Sequence, residues 1–285
     1  MHCSSPRPTR RVSGSCAAIT CAATRSRKSA MADAGDEASH RLSWQPARIE
    51  ALEPLSPTIR RVVLRPQRWW RPLAGQHLDV RLTAEDGYQA QRSYSLLSPP
   101  ERDGVYELGV ERLAEGEVSP WFHDAAQVGE SLEILGPVGG HFVWRVQDGR
   151  PTLLIGGGSG VVPLLAMAAH RVQSRGAAPM VLVVAARTMA DVLLWPELQR
   201  WEAHNSGFQS RLALSRESVV ERAQDHAGRI REVDLAAALQ HLGDSSTQSA
   251  SVYVCGSNAF VESAITMLRA LQVPDQAIRT ERFGG

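Results

Sequence analysis

Arg92-Ser93-Tyr94-Ser95 gathers a fixed cation, an aromatic ring and two hydroxyls into four residues. In an extended strand successive side chains alternate in direction, so Arg92 and Tyr94 face one way while Ser93 and Ser95 face the other. The donor fork of Arg92 suits phosphate oxygens, the flat face of Tyr94 suits an aromatic ring, and Ser95 can hydrogen-bond a ring heteroatom. A flavin nucleotide needs that set. Taken alone, the four residues are explained better as an ordinary strand with an exposed Arg and a half-buried Tyr.

What lies downstream reverses that balance. Gly156-Gly157-Gly158-Ser159-Gly160-Val161-Val162-Pro163 follows about sixty residues later, and Val252-Tyr253-Val254-Cys255-Gly256-Ser257 comes after it. In this order the three stretches resemble the flavin, nicotinamide-loop and Cys-Gly motifs of the ferredoxin-NADP reductase superfamily, over a span from roughly Leu42 to the end. The resemblance implies an antiparallel β-barrel flavin domain followed by an α/β doubly wound parallel-sheet nicotinamide domain. It also assigns Gly75-Gln76-His77-Leu78 to an element that frames the flavin ring, although a His at such a position is more often an ordinary strand residue than a catalytic base. Within Gly116-Glu117-Val118-Ser119, it makes Gly116, Val118 and Ser119 contacts of the flavin pyrophosphate. Phe283 or Glu281, in the terminal Glu281-Arg282-Phe283-Gly284-Gly285, would lie near the flavin.

Composition narrows the alternatives. A chain of 285 residues with 43% apolar content fits two domains of ordinary size, each with its own core. The formal net charge of +1 provides no global basic field for nucleic acid. Cys3, Cys16, Cys21 and Cys255 form no C-x-x-C pair and lack the plant-type iron–sulfur spacing, so no metal site, disulfide framework or cluster is expected. No apolar run approaches the roughly 20 residues needed to cross a bilayer. The expectation is a soluble cytoplasmic protein without stable membrane insertion, and its oligomeric state is not legible.

In chain order, residues 1–40 read as an extension outside the fold, since the first thirty are rich in Ser, Thr, Ala and Arg without any Asp or Glu. Arg10-Arg11 ahead of Cys16 to Ala23 faintly resembles a twin-arginine export signal, and Met31 is an alternative start. Residues 41–148 are expected to form the barrel. Gln76 to Leu82 and Val105 to Glu111 alternate polar and apolar residues as half-buried strands do. Ser119-Pro120 reads as an N-cap and first helical position, opening a helix whose free N–H groups suit an anion beside Arg92. Leu135-Gly136-Pro137-Val138-Gly139-Gly140-His141-Phe142 reads as a run of turn formers closing the barrel, with the boundary between Gln147 and Arg150.

Residues 149–285 change rhythm to apolar strands alternating with helices, with strands at Thr152 to Ile155, Met180 to Ala185, Arg211 to Leu214, Ser251 to Cys255 and Ile278 to Phe283. Asn258 to Leu271 repeats Phe260, Val261, Ala264, Ile265, Leu268 and Leu271 at helical spacing, read as core. Gly157, Gly158 and Gly160, between strand and helix, make a phosphate cradle, with Pro163 at the position of a dehydrogenase's last glycine. Arg187 and Arg216 follow the second and third strands, where Arg favours a 2′-phosphate, so NADPH is expected ahead of NADH. Cys255 and Gly256 end a strand where α/β sheets bind ligands, and the family's Cys touches the nicotinamide there.

The resulting expectation is an NAD(P)H-dependent flavoprotein using FAD, with Ser95 and Cys255 at the reacting rings and electrons passing to a separate ferredoxin, heme protein or oxygenase component. FAD is preferred to FMN because the helix at Ser119 suits a pyrophosphate. Two other classes stay open: a dehydrogenase acting directly on a small molecule, and a non-catalytic flavin-binding interaction subunit.

Overall fold

The computed structural model describes residues 43–204, 207–243 and 246–283. The expected extension over residues 1–40, with its arginine pair, three cysteines and Met31, lies outside them. Alternation builds the first sheet: β1 (Gln45–Pro54) buries Gln45, Ala47 and Ile49 and exposes the residues between them. It is joined by β2 (Ile59–Pro66), β3 (His77–Thr83), β4 (Gln89–Ser95), β5 (Tyr106–Glu111) and β6 (Ser131–Val138). The order is β4-β3-β6-β1-β2-β5, antiparallel throughout. A bridge between Leu96 and Leu108 joins the end of β4 to β5, so the sheet curls into the expected barrel. Ile49, Leu64, Leu78, Val80, Leu108 and Ile134 fill it, each worth about 1.5–3 kcal/mol when fully buried.

Two local expectations are corrected. Helix α1 (Val118–Asp124) starts one residue before Ser119, with Glu117 at its N-cap and no side-chain cap bond. Ser119 lies in the first turn, and its hydroxyl accepts from the Leu113 N–H at 3.1 Å, tying down the loop after β5 instead of capping the helix. Pro120 is tolerated there because the first-turn N–H groups have no intrahelical acceptor. Leu135 to Val138 are not turn but the end of β6, paired to β3 with a register irregularity opposite His77 and Asp79.

The second sheet is parallel, in the order β10-β9-β8-β7-β11-β12. Its strands are β7 (Thr152–Gly157), β8 (Met180–Ala186), β9 (Phe208–Leu214), β10 (His226–Ala227), β11 (Ser251–Gly256) and β12 (Ile278–Arg282). Strands buried on both faces read as continuous apolar runs, and Met180 to Val184 are all buried. Leu154, Leu182 and Tyr253 pack with α2 (Val162–Gln173) and α3 (Trp195–His204). Leu153, Val181 and Val252 face the other side, against α4 (Glu232–Leu242) and α6 (Asn258–Ala270), with the short α5 (Ser246–Ser249) between these in sequence. Ser257 caps α6, its hydroxyl accepting from the Phe260 N–H.

Barrel and parallel sheet share a core, because Ile59, Ala74, Leu97, Phe142 and Trp144 pack in the same cluster as Val161, Leu164 and Met167. Polar ties cross the junction as well. Trp144 Nε1 donates to Thr152 Oγ1 at 3.0 Å, and Tyr253 Oη donates to the Val143 carbonyl at 2.9 Å. Among the described residues no helix is long and apolar enough to cross a membrane.

Candidate functional site

β4 sets out Arg92, Ser93, Tyr94 and Ser95 as alternation dictates. Arg92 is exposed, and its guanidinium donates to the Gln91 carbonyl at 2.6 Å, with no carboxylate pairing it among the described residues. Ser93 hydrogen-bonds Asp79 Oδ1 across the ladder at 2.5 Å. Tyr94 lies edge-on to Phe122 of α1, ring centroids 6.0 Å apart, and its burial pushes the phenol upward. Ser95 is 5% exposed, and its Oγ has no hydrogen-bond partner among the described residues. An orphaned buried hydroxyl is uncommon enough to require an explanation, and a polar ring atom of a flavin would supply one.

His77 pairs with Ser95 in the β3–β4 ladder, and its ring lies against Gly139, so it belongs to the same patch. Burial lowers its pKa, an effect partly offset by the neighbouring Asp79 carboxylate. Gly116 sits close to the Ser119 hydroxyl, and a Cβ there would stand 3.0 Å from Oγ. Val118 is wholly buried in the barrel core, so the structure does not present it to a ligand. The link between α1 and β4 is the Tyr94–Phe122 contact.

The glycine-rich stretch lies where the sheet order reverses: the chain leaves β7 for β8 on one side and returns to β11 on the other. Ligands of open α/β sheets bind at that crevice. Gly158 to Val161 form a 3-10 turn leading into α2, with Pro163 in its first turn. A Cβ on Gly160 would stand 2.4 Å from the Cys255 carbonyl oxygen, so only glycine lets the two segments meet. Gly158 adopts φ +57 with open space where a Cβ would point. Gly157 and Gly256 both press on the Phe260 ring. Phe260, grouped by its helical spacing with the core, is therefore also the floor of this cradle.

Cys255 is fully buried, and burial together with the neighbouring Glu281 pushes its thiol up, so it is an uncharged wall and not a nucleophile. Phe283 reaches the same edge, its N–H donating to the Gly256 carbonyl at 3.0 Å. Arg187 and Arg216 come together at the ends of β8 and β9, the Arg216 N–H donating to the Arg187 carbonyl at 2.8 Å. Both side chains are exposed and neither has a carboxylate partner among the described residues.

Glu281 is the feature that sequence reading left vague. It stands directly beside Cys255 in the β11–β12 ladder, and its Oε2 is buried without a partner among the described residues. Burial pushes its carboxyl up to about 7. A raised carboxyl pKa means that the folded chain keeps a proton the unfolded chain releases, so the group favours folding most below its ordinary range. That contribution is lost as pH rises through about 7. In Glu281→Gln, the fall in unfolding temperature between about pH 5 and pH 8 should shrink relative to wild type. Differential scanning calorimetry checks it, and an unchanged profile would place the carboxyl in water.

The residues present thus fit both nucleotides: a hydroxyl and a guanidinium on the barrel with no side-chain partner among the described residues, and a backbone cradle at the sheet's switch point. Comparison with known proteins agrees. Residues 47–144 match the oxidoreductase FAD-binding domain and residues 154–265 the oxidoreductase NAD-binding domain. The ferredoxin reductase component of 3-ketosteroid-9-alpha-monooxygenase from Mycobacterium tuberculosis is 31% identical over 218 residues, 76% of this chain and 56% of that one. The reductase component DmpP of phenol 2-monooxygenase from a Pseudomonas strain is 28% identical over 235 residues, 82% of this chain and 64% of that one. The chain therefore spans less than two thirds of the length of either relative. Among solved structures, the ferredoxin reductase in carbazole 1,9a-dioxygenase superposes with a TM-score of 0.69 at 25% identity, covering 85% of this chain and 70% of that one. The FAD/NAD-binding domain of a Vibrio cholerae nitric oxide dioxygenase shares the fold, with a TM-score of 0.73 at 21% identity over 85% of this chain and 99% of that one. With both domain families matched in sequence order and both sheets built as they require, the chain belongs to the ferredoxin-NADP reductase superfamily of FAD- and NAD-binding oxidoreductases.

Proposed function

We propose that this protein is the reductase of an oxygenase system, taking reducing equivalents from NADPH onto FAD and delivering them to a separate ferredoxin or oxygenase component in the cytoplasm. The observation that carries the reading is the direct docking on the barrel of the helix start that follows the glycine-rich turn: Gly109 of β5 lies against Val162, where a Cβ would come within 2.6 Å of Cγ2. The names of the relatives, reductase components of monooxygenases, support the choice of acceptor.

FAD, when bound, supplies the chemistry of accepting a hydride and releasing electrons onward. The chain's own part is placement. Arg92 offsets phosphate charge, while Ser95 Oγ offers its hydrogen bond to the ring, and the buried wall of Cys255 excludes water. Gly158 and Gly160 let a pyrophosphate approach the backbone, and Glu281 holds a proton at the sheet edge. Residues 41–148 would carry the flavin and 149–285 the nicotinamide. This division is supported by the last barrel bridge at Trp144 and the first parallel strand at Thr152.

Anaerobic titration tests the proposal. Purified protein should show flavin absorbance that bleaches on adding NADPH. Absence of flavin would refute the reading, and flavin that stays oxidised with both NADPH and NADH would favour a non-catalytic subunit. Arg216→Ala should weaken NADPH binding about tenfold by removing one charged contact, and leave NADH nearly unchanged. Equal losses for both nucleotides would take Arg216 off the 2′-phosphate.

A further inference from the structure

Glu111 is the last residue of β5 and half-buried, and its Oε2 accepts a hydrogen bond of 2.5 Å from Ser159 Oγ in the glycine-rich turn. Gly109 and Glu111 stand two apart on one strand and so share a face. The first seats Val162 and the second takes Ser159, which makes this face of β5 the seat of the turn. The bond is a strange one for an anion site. The turn and the start of α2 present N–H groups and the positive end of a helix dipole, an arrangement that favours phosphate oxygens. Here a carboxylate already satisfies a donor of that turn, and it carries the same sign of charge as the ligand.

Resting on the nicotinamide reading above, we infer that the Glu111–Ser159 bond is a latch that the incoming pyrophosphate must open. With the site free, the carboxylate ties the turn to the barrel and satisfies Ser159. When a dinucleotide enters, its phosphates compete for the same hydroxyl and repel the same carboxylate, so part of the binding free energy goes into displacing Glu111. Affinity is lowered for reduced and oxidised dinucleotide alike, which favours release of the spent cofactor. Glu111 is thus a positioning residue acting through Ser159, and its removal should improve binding, the reverse of what loss of a strut would do.

The test is calorimetric titration of the flavin-loaded protein with NADP+ and, separately, with NAD+, in wild type, Glu111→Gln and Glu111→Ala. Gln removes the charge and keeps an acceptor for Ser159, whereas Ala removes both. Each variant should bind both dinucleotides more tightly, by about five- to tenfold, with Ala at least equal to Gln. The gain should diminish as salt screens the repulsion. Amide hydrogen exchange supplies a readout independent of binding: residues 158–161 of the ligand-free Ala variant should exchange faster than in wild type. Unchanged or weaker binding in both variants, at wild-type flavin content, would overturn the latch and leave the nicotinamide reading standing. If wild type and variants alike bind neither dinucleotide, the nicotinamide reading fails and takes the latch with it.

Discussion

In Gly160→Ala, flavin content should stay at its wild-type level while reduction by NADPH slows about a hundredfold, the cost that a misplacement of about 1 Å in a reacting pair can carry. The new Cβ would stand 2.4 Å from the Cys255 carbonyl oxygen and 2.6 Å from both its carbon and the Gly256 Cα. All three are backbone atoms, so no side-chain rotation relieves the clash, and either the turn or the end of β11 must move. Both lie at the switch point, whereas the nearest flavin-strand residues sit on the barrel and are untouched. Stopped-flow reduction at saturating NADPH, with flavin content read from the absorbance, separates the two. A rate within a few-fold of wild type would show that the turn can shift without consequence and that the nicotinamide is bound elsewhere.

Arg92→Ala should act on the other half. Its guanidinium has no carboxylate to hold it among the described residues, so its removal leaves no buried charge behind and the fold should be indifferent. A charge-assisted contact to phosphate is worth about 1.5–3 kcal/mol, which is roughly ten- to a hundredfold in flavin affinity. Partial apoprotein should result, measured by the ratio of flavin to protein absorbance and by the dissociation constant of the remainder. Unfolding temperature of the flavin-free variant should match that of flavin-free wild type. Full occupancy with unchanged affinity would remove Arg92 from the pyrophosphate.

The sequence made the architecture legible because its strongest signals are periodic. Alternation in β3, continuous apolar runs in β8 and β11, and the glycine stretch between a strand and a helix all survive in the structure with ends shifted by a few residues, whereas in β5 Glu107 is buried between Tyr106 and Leu108, bonded by Arg61 and Arg102. What failed was local chemistry with more than one solution. Ser119-Pro120 satisfies the pattern of a helix start, but a serine hydroxyl can bond any N–H within reach, and the loop folds back to bring Leu113 there. Gly136-Pro137 satisfies the pattern of a turn, yet the residues sit at the end of a strand where the ladder is already irregular.

Residues whose role depends on distant partners carried little signal. Glu111 and Ser159 are 48 positions apart, and Glu281 has its carboxyl raised by a burial that no local pattern displays. Phe260 has the spacing of a core residue and also faces two glycines, a second use that helical periodicity cannot display.

The shared core at the junction bears on how such a chain can be recombined. Ile59, Leu97, Phe142 and Trp144 come from the barrel and pack among Val161, Leu164 and Met167, while Tyr253 reaches back to the Val143 carbonyl. A chimera that joins this barrel to the nicotinamide half of a relative therefore inherits one side of a jigsaw without the other. Overpacked or hollow contacts of this kind typically cost a few kcal/mol. Successful crossovers should be those that carry the junction residues across as a set, whatever the position of the breakpoint in the connecting segment.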